Sequence, residues 1–332
     1  MSVFTDLPEA DLRDYRSSQA DPADFDEFWA ETIAESRGFD LAVQVMPVVT
    51  GLETVDVFDV TFAGFRGQQV KAWLRLPAHA SGPLPAVVQF VGYGGGRGHA
   101  LESLVWASAG FAHFQMDTRG QGSGWSAGDT ADADGSGPQS PGFMTRGIEN
   151  RESYYYRRVF TDAVRAIDVA RSLESVDASR IAVLGASQGG GIAIAAAGLV
   201  PDITAVIANV PFLCDFPRAT VITDNEPYKE IGRYLAVHRG RIGQARQTLA
   251  YFDGVNFAKR ASARAWFSTA LMDSTCPPST VFAAFNAYTG PKEIAVWPYN
   301  GHEGGGIEDD VRAIQALRTV FPRAGSTHSA PV

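Results

Sequence analysis

The 332-residue sequence predicts an α/β fold, a mostly parallel central sheet with helices on both faces, and three observations point there. Short runs such as AVVQF, IAVLG and AVIAN are apolar without alternation, the pattern of strands buried on both faces. These runs alternate along the chain with longer stretches of helical periodicity, the order that builds parallel sheets with crossover helices. Hydrophobic residues make up 45% and charged residues 20%, so a chain of this length can bury a large core. The formal net charge of −9 argues against nucleic acid and anionic membranes, both of which need clustered Lys and Arg.

Taken in order, residues 22–37 place Phe25, Phe28, Trp29 and Ile33 at helical spacing, which predicts an amphipathic helix acting as a lid or a brace. Residues 55–76 alternate and contain Gly64 and Gly67, which predicts a hairpin of antiparallel edge strands. Strands follow at 86–90, 111–116, 181–184, 205–208, 265–271 and 293–296, with helices near 98–109, 153–174, 188–199, 277–288 and 307–319. Residues 211–262 interrupt the alternation with aromatic, helical sequence and read as an insertion over the carboxyl edge of the sheet, where such insertions shape substrate pockets. The expectation is a single domain over 1–325 and a frayed tail at 326–332. Neither an apolar leader nor a run of roughly 20 apolar residues is evident, so the chain reads as soluble and cytoplasmic. Cys214 and Cys276 lack the spacing of a zinc site and read as reduced thiols.

The sharpest chemical signal is Gly185-Ala186-Ser187-Gln188-Gly189, set between an apolar strand and a small-residue helix. A serine on such a strained turn projects above the strand ends, and flanking glycines make room for neighbouring backbone. The motif recurs by chance as a structural turn, so its surroundings carry the argument. Of six histidines, His302 lies just beyond the last predicted strand, in the glycine-rich loop NGHEGGG, whereas His328 falls in the polar terminal segment. Asp273 ends the apolar run WFSTALMD, where it can orient an imidazole or, as the plainer alternative, cap the helix opening near Pro277. The order Ser187, Asp273, His302 is that of α/β-hydrolases, so the predicted fold becomes an α/β-hydrolase with a helical insertion over the active site. Ser187 is then the nucleophile, His302 the general base and Asp273 its orienting acid. The N–H of Gln188, and that of Tyr93 or Gly94 in VVQFVGYGGG, are the candidate oxyanion donors, with Tyr93 favoured. No metal or organic cofactor is needed for this chemistry.

With these residues in hand, the chain resembles carbohydrate esterase family 7, the acetyl xylan esterases and cephalosporin C deacetylases. The likeness is carried by Arg119-Gly120-Gln121, the Ser187 elbow and His302-Glu303, with LMDSTCPPST around Asp273 and NVPFLCDF at 209–216. The resemblance implies removal of acetyl groups from small acetylated sugars and related esters, the triad and oxyanion donors named above, and a cytoplasmic homo-hexamer enclosing its active sites. It implies that Arg119, Gly120, Gln121 and Glu303 organise the site, with Arg119 paired to a carboxylate. Phe212, Pro227 and Tyr228 are the expected walls of a small acyl pocket, core packing being the competing role for Phe212. Sequence around 135–157 and in the insertion is this chain's own and bears on pocket size. Competing readings are a short-chain carboxylesterase or peptidase of the same fold, and a non-catalytic binding protein on a hydrolase scaffold.

Overall fold

The computed structural model describes residues 6–134 and 142–322. The expected C-terminal tail at 326–332, and part of the 135–157 segment, lie outside the described residues. Two helices, α1 (Glu9–Asp14) and α2 (Phe25–Arg37), precede three antiparallel strands, β1 (Gln44–Val48), β2 (Val55–Ala63) and β3 (Gln69–Pro77). Then come β4 (Leu84–Phe90), α3 (Val105–Ser108), β5 (Ala112–Met116), α4 (Tyr155–Ser172), β6 (Val176–Ala186), α5 (Gln188–Leu199) and β7 (Ala205–Asn209). The insertion supplies α6 (Phe216–Ile222), α7 (Tyr228–Val237), α8 (Ile242–Ala250) and α9 (Gly254–Ala258). The chain returns through β8 (Arg264–Ala270), α10 (Pro278–Ala287), β9 (Lys292–Trp297) and α11 (Ile307–Val320).

One nine-stranded sheet runs in the order β1-β2-β3-β5-β4-β6-β7-β8-β9, parallel from β5 to β9. Successive residues of each strand point to opposite faces, and the core divides accordingly. Val87, Leu184 and Ile207 pack with Trp106 of α3 and Leu317 of α11, whereas Val88, Val183 and Val206 pack with α4 and α5. Parallel strands carrying helices on both faces are thus present as the apolar runs predicted.

Two expectations need correction, and one strand, β1, had no expectation at all. The 55–76 hairpin is not at the edge, because Ala72–Arg75 of β3 pair with β5 and β1 covers β2. β1 escaped the reading because its sequence QVMPV is mostly exposed and contains a proline, a strand-edge composition without a strand pattern. The helix expected near 98–109 shrinks to α3, since Gly98 and Ser103 adopt left-handed φ values of 65° and 54° that a helix excludes. Helix α2 is a brace. Trp29, 2% exposed, donates Nε1–H to Tyr251 O at 2.9 Å and packs edge-on to Phe252 and Phe257. Burying one such aromatic contributes about 1.5–3 kcal/mol, so α2 fastens the far end of the insertion to the body.

Candidate active site

The β6–α5 turn is built from what its glycines omit. A Cβ on Gly185 would lie 2.1 Å from Gly189 C, and one on Gly189 would lie 2.1 Å from Phe90 O. Only glycine lets the turn close this tightly, and closure forces Ser187 to φ 55°, ψ −123° as the residue preceding α5. Its hydroxyl consequently stands at the carboxyl edge of the sheet, in a cleft of about 710 Å³ also lined by Tyr93, Pro227, Thr275 and His302.

Three side chains distant in sequence converge there. His302 Nε2 is 3.0 Å from Ser187 Oγ, and His302 Nδ1 is 2.9 Å from Asp273 Oδ2. Asp273 is fully buried, and its other oxygen accepts the N–H groups of Thr275 and Cys276 at 2.8 and 2.9 Å. The alternative reading of Asp273 is thereby answered: it closes the turn at 275–276 while facing the imidazole, and α10 begins at Pro278 without a side-chain cap. Glu303 accepts from Asn300 Nδ2 at 3.0 Å and Gly301 N at 3.1 Å, which shapes the turn that presents His302.

Two backbone N–H groups beside Ser187 have no partner among the described residues, those of Tyr93 and Gln188. Gly94 N–H donates to Gln121 Oε1 at 2.7 Å, which leaves Tyr93 as the available donor of its loop. Gln121 Nε2 also reaches Gln188 Oε1 at 2.8 Å and Tyr155 Oη at 3.0 Å. Gln188 Nε2 donates to Val91 O at 3.0 Å, and Tyr156 Oη–H donates to Gln188 Oε1 at 2.9 Å. The two loops carrying the candidate donors are therefore tied through one buried amide network. Arg119, fully buried, forms a paired contact with Asp162 at 2.6 and 2.8 Å, and Tyr155 Oη–H donates to its carbonyl at 2.5 Å. Gly120 has φ 69°, a left-handed value that suits glycine.

Of the expected pocket walls, Pro227 lines the cleft, whereas Phe212 and Tyr228 do not. Both rings are fully buried and meet edge-on, 4.4 Å between centroids, and Tyr228 Oη is committed to the backbone of Cys214. They back the wall formed by Tyr93, whose ring lies 6.1 Å from Phe212.

Sequence reasoning missed the residues that hold Tyr93. Its hydroxyl donates to Glu230 Oε1 at 2.5 Å and accepts Phe143 N–H at 2.6 Å, while Trp125 Nε1–H donates to its carbonyl at 2.9 Å. Burial pushes the Glu230 carboxyl above its usual range. A single acid between Tyr228, Ile231 and Tyr234 on the apolar face of a helix was a readable signal, as were three consecutive tyrosines at the head of α4. Asp273, Cys276 and His302 bring potential ligand atoms within 4.8 Å of one another. Burial pushes the Cys276 thiol well up, and the other two groups are already joined, so this donor set is poorly suited to a metal, which requires a thiolate.

Fold and geometry together define an α/β hydrolase with a serine, a histidine and an aspartate in line at the sheet edge. The acetyl xylan esterase (AXE1) family model matches residues 1–318, and the chain belongs to that family of carboxylic ester hydrolases. An acetyl xylan esterase from a Paenibacillus species is 41% identical, with a TM-score of 0.88 over 93% of this chain and 99% of that one. Acetyl xylan esterase 1 from Thermoanaerobacterium is 32% identical, with a TM-score of 0.87 over 94% and 99%. An acetyl esterase of Xylanibacter ruminicola is 31% identical over 288 residues, 85% of this chain, which spans 63% of that relative's length.

Proposed function

We propose that the protein is a serine acetylesterase that removes acetyl groups from small acetylated carbohydrates and related esters, with Ser187 as nucleophile, His302 as general base and Asp273 as orienting acid. The observation that carries the reading is the imidazole of His302 held between Ser187 Oγ and Asp273 Oδ2 at 3.0 and 2.9 Å. His302 takes the Ser187 proton as Oγ attacks the acetyl carbonyl, and the oxyanion is received by the N–H groups of Tyr93 and Gln188. The imidazolium returns the proton to the departing alcohol, leaving an acetyl-enzyme, and water repeats the sequence to release acetate. Each oxyanion donor is worth about 2.7–4 kcal/mol of transition-state stabilisation, which is why the Gln121 network that aims both loops matters.

Tyr93 and Pro227 stand beside the serine with a packed wall behind Tyr93, which supports a short acyl group. The same reading takes the chain as one hydrolase domain, places it in the cytoplasm and assembles it as a homo-hexamer, with cephalosporin C among its substrates. Among the described residues no helix is long and apolar enough to cross a membrane. An organophosphonate should label wild type at Ser187 stoichiometrically, and p-nitrophenyl acetate should turn over much faster than the butyrate or octanoate. Equal activity on long chains would reject the short acyl pocket, and absent labelling would reject the nucleophile. Light scattering that returns a monomer would reject the hexamer.

A further inference from the structure

One buried carboxylate bordering the cleft takes no part in the reaction above. Asp309, in the first turn of α11, is 6% exposed and makes no ion pair with Lys or Arg among the described residues. It accepts three hydrogen bonds instead. Its Oδ1 takes Trp297 Nε1–H at 3.0 Å, and its Oδ2 takes Gly305 N–H at 2.9 Å and Ser268 Oγ–H at 2.8 Å. The donors belong to β9, to the loop that carries His302 and to β8, so one carboxylate joins three pieces of chain. A buried acceptor with every donor matched holds those pieces in one arrangement, because losing it leaves each donor unpaired.

His302 stands between two fastenings of its loop. Ahead of it, Asn300 O accepts Met272 N–H at 3.1 Å, and Glu303 ties Asn300 and Gly301. Behind it, Gly304 and Gly306 bond back within the loop, to Gly301 O and Glu303 O, while Gly305 N–H leaves the loop for Asp309. Gly305 also lies flat on the indole, where a Cβ would come within 2.4 Å of Trp297 Cε2. The other end of this fastening reaches the serine. Ser268 is the register partner of Asn209 in β7 and its carbonyl accepts Val210 N–H at 3.0 Å, and Asn209 O accepts Ser187 N–H at 2.9 Å. A path of backbone pairing and hydrogen bonds thus runs from Ser187 through Asn209, Ser268 and Asp309 to Gly305, beside His302.

We propose that Asp309 is a positioning residue for the general base, fixing the His302 loop against the strand register that holds Ser187. The inference rests on the esterase reading above and adds to it the group that sets the distance between imidazole and hydroxyl. An acid in the first turn of a helix also favours the helix itself, and Glu308 and Asp310 share that turn. Stability alone therefore does not identify the role, and the test reads rates.

Asp309→Leu keeps the bulk and removes all three acceptors, and it should lower kcat for p-nitrophenyl acetate about 10²-fold with KM little changed, the cost of misplacing a reacting group by about 1 Å. Asp309→Asn folds more readily, and its single amide oxygen can serve Gly305 or Trp297 but not both, so kcat should fall about tenfold. Organophosphonate labelling of Ser187 should slow by the same factors, since both reactions need His302 in place. Glu308→Gln, an exposed acid of the same turn, should leave kcat within about twofold of wild type. In a His302→Ala background Asp309→Asn should cost nothing further, because a group that acts through the imidazole has nothing left to position. Unchanged kcat and labelling in Asp309→Asn, whatever its melting temperature, or an equal loss in the His302→Ala background, overturns the positioning role and leaves the esterase intact. Wild type that is not labelled at Ser187 overturns the esterase reading and this inference with it.

Discussion

The turn that carries Ser187 and the wall that carries Tyr93 border the same cleft but are held in different ways. At the turn every constraint is local or made by backbone: Gly185 lies against Gly189, Gly189 lies against Phe90 O, and Ser187 is strained as a result. At the wall the constraints are side-chain pairs between elements far apart in sequence. Tyr93 bonds to Glu230 across 137 residues, and Gln121 bonds to Gln188 across 67. A strained turn can be specified by consecutive residues because sterics act at short range. A polar wall is specified by partners, and each partner has meaning only once the chain has folded.

The contrast can be broken at several points. Ser187→Ala should lower kcat for acetyl esters by about 10⁶-fold while leaving the melting temperature near that of wild type, checked by active-site-normalised kinetics and calorimetry. Gly189→Ala should cost about 4 kcal/mol of stability, because its Cβ would sit 2.1 Å from a carbonyl of β4 that cannot withdraw. Denaturant unfolding measures this, and a stable, active Gly189→Ala would refute the steric account of the turn. Gln121→Leu should lower kcat about 10²-fold with little change in KM for p-nitrophenyl acetate, since it frees Gly94 N–H and loosens both donor loops. Full kcat in that variant would mean that the wall is aimed by something else.

The smallest effect concerns Asp253, a buried carboxyl in the insertion that accepts the N–H groups of Asp215, Phe216 and Val255, each at 2.9 Å. Burial, and then Asp215 nearby, push its pKa from 3.8 to about 7. The folded protein therefore holds this proton more tightly than the unfolded chain. The resulting stability is complete below about pH 3.8 and is lost as pH rises through about 7. Relative to Asp253→Asn, wild type should lose about 2 °C in melting temperature between pH 5 and 8. A difference independent of pH would show that Asp253 stays ionised.

The elements legible in the sequence were those whose signal is repeated or local. Helix α5 begins and ends at the expected residues, and β4, β5 and β7 fall where continuous apolar runs lie. Ser187, Asp273 and His302 could be named because each sits at the end of a recognisable strand and because chain order restricts the choice. Elements without periodicity were not legible: β1 is short and exposed, and the loop before α3 is set by left-handed residues at 98 and 103. Phe212 and Tyr228 were expected on the pocket surface from the resemblance, with core packing as the competing role for Phe212. The structure instead seals both behind Tyr93, with the Tyr228 hydroxyl bound to the Cys214 backbone.

The sequence by itself determined the alternation of layers, the strained turn and the order of the three reactive side chains, because hydrophobic periodicity and steric exclusion act between neighbours. Only the tertiary structure decided that Gly94 is occupied and Tyr93 free, and that Glu230 reaches the cleft wall. Hydrogen bonding is directional and short-ranged, so which polar groups are satisfied and which remain open to a ligand is settled only when distant residues meet.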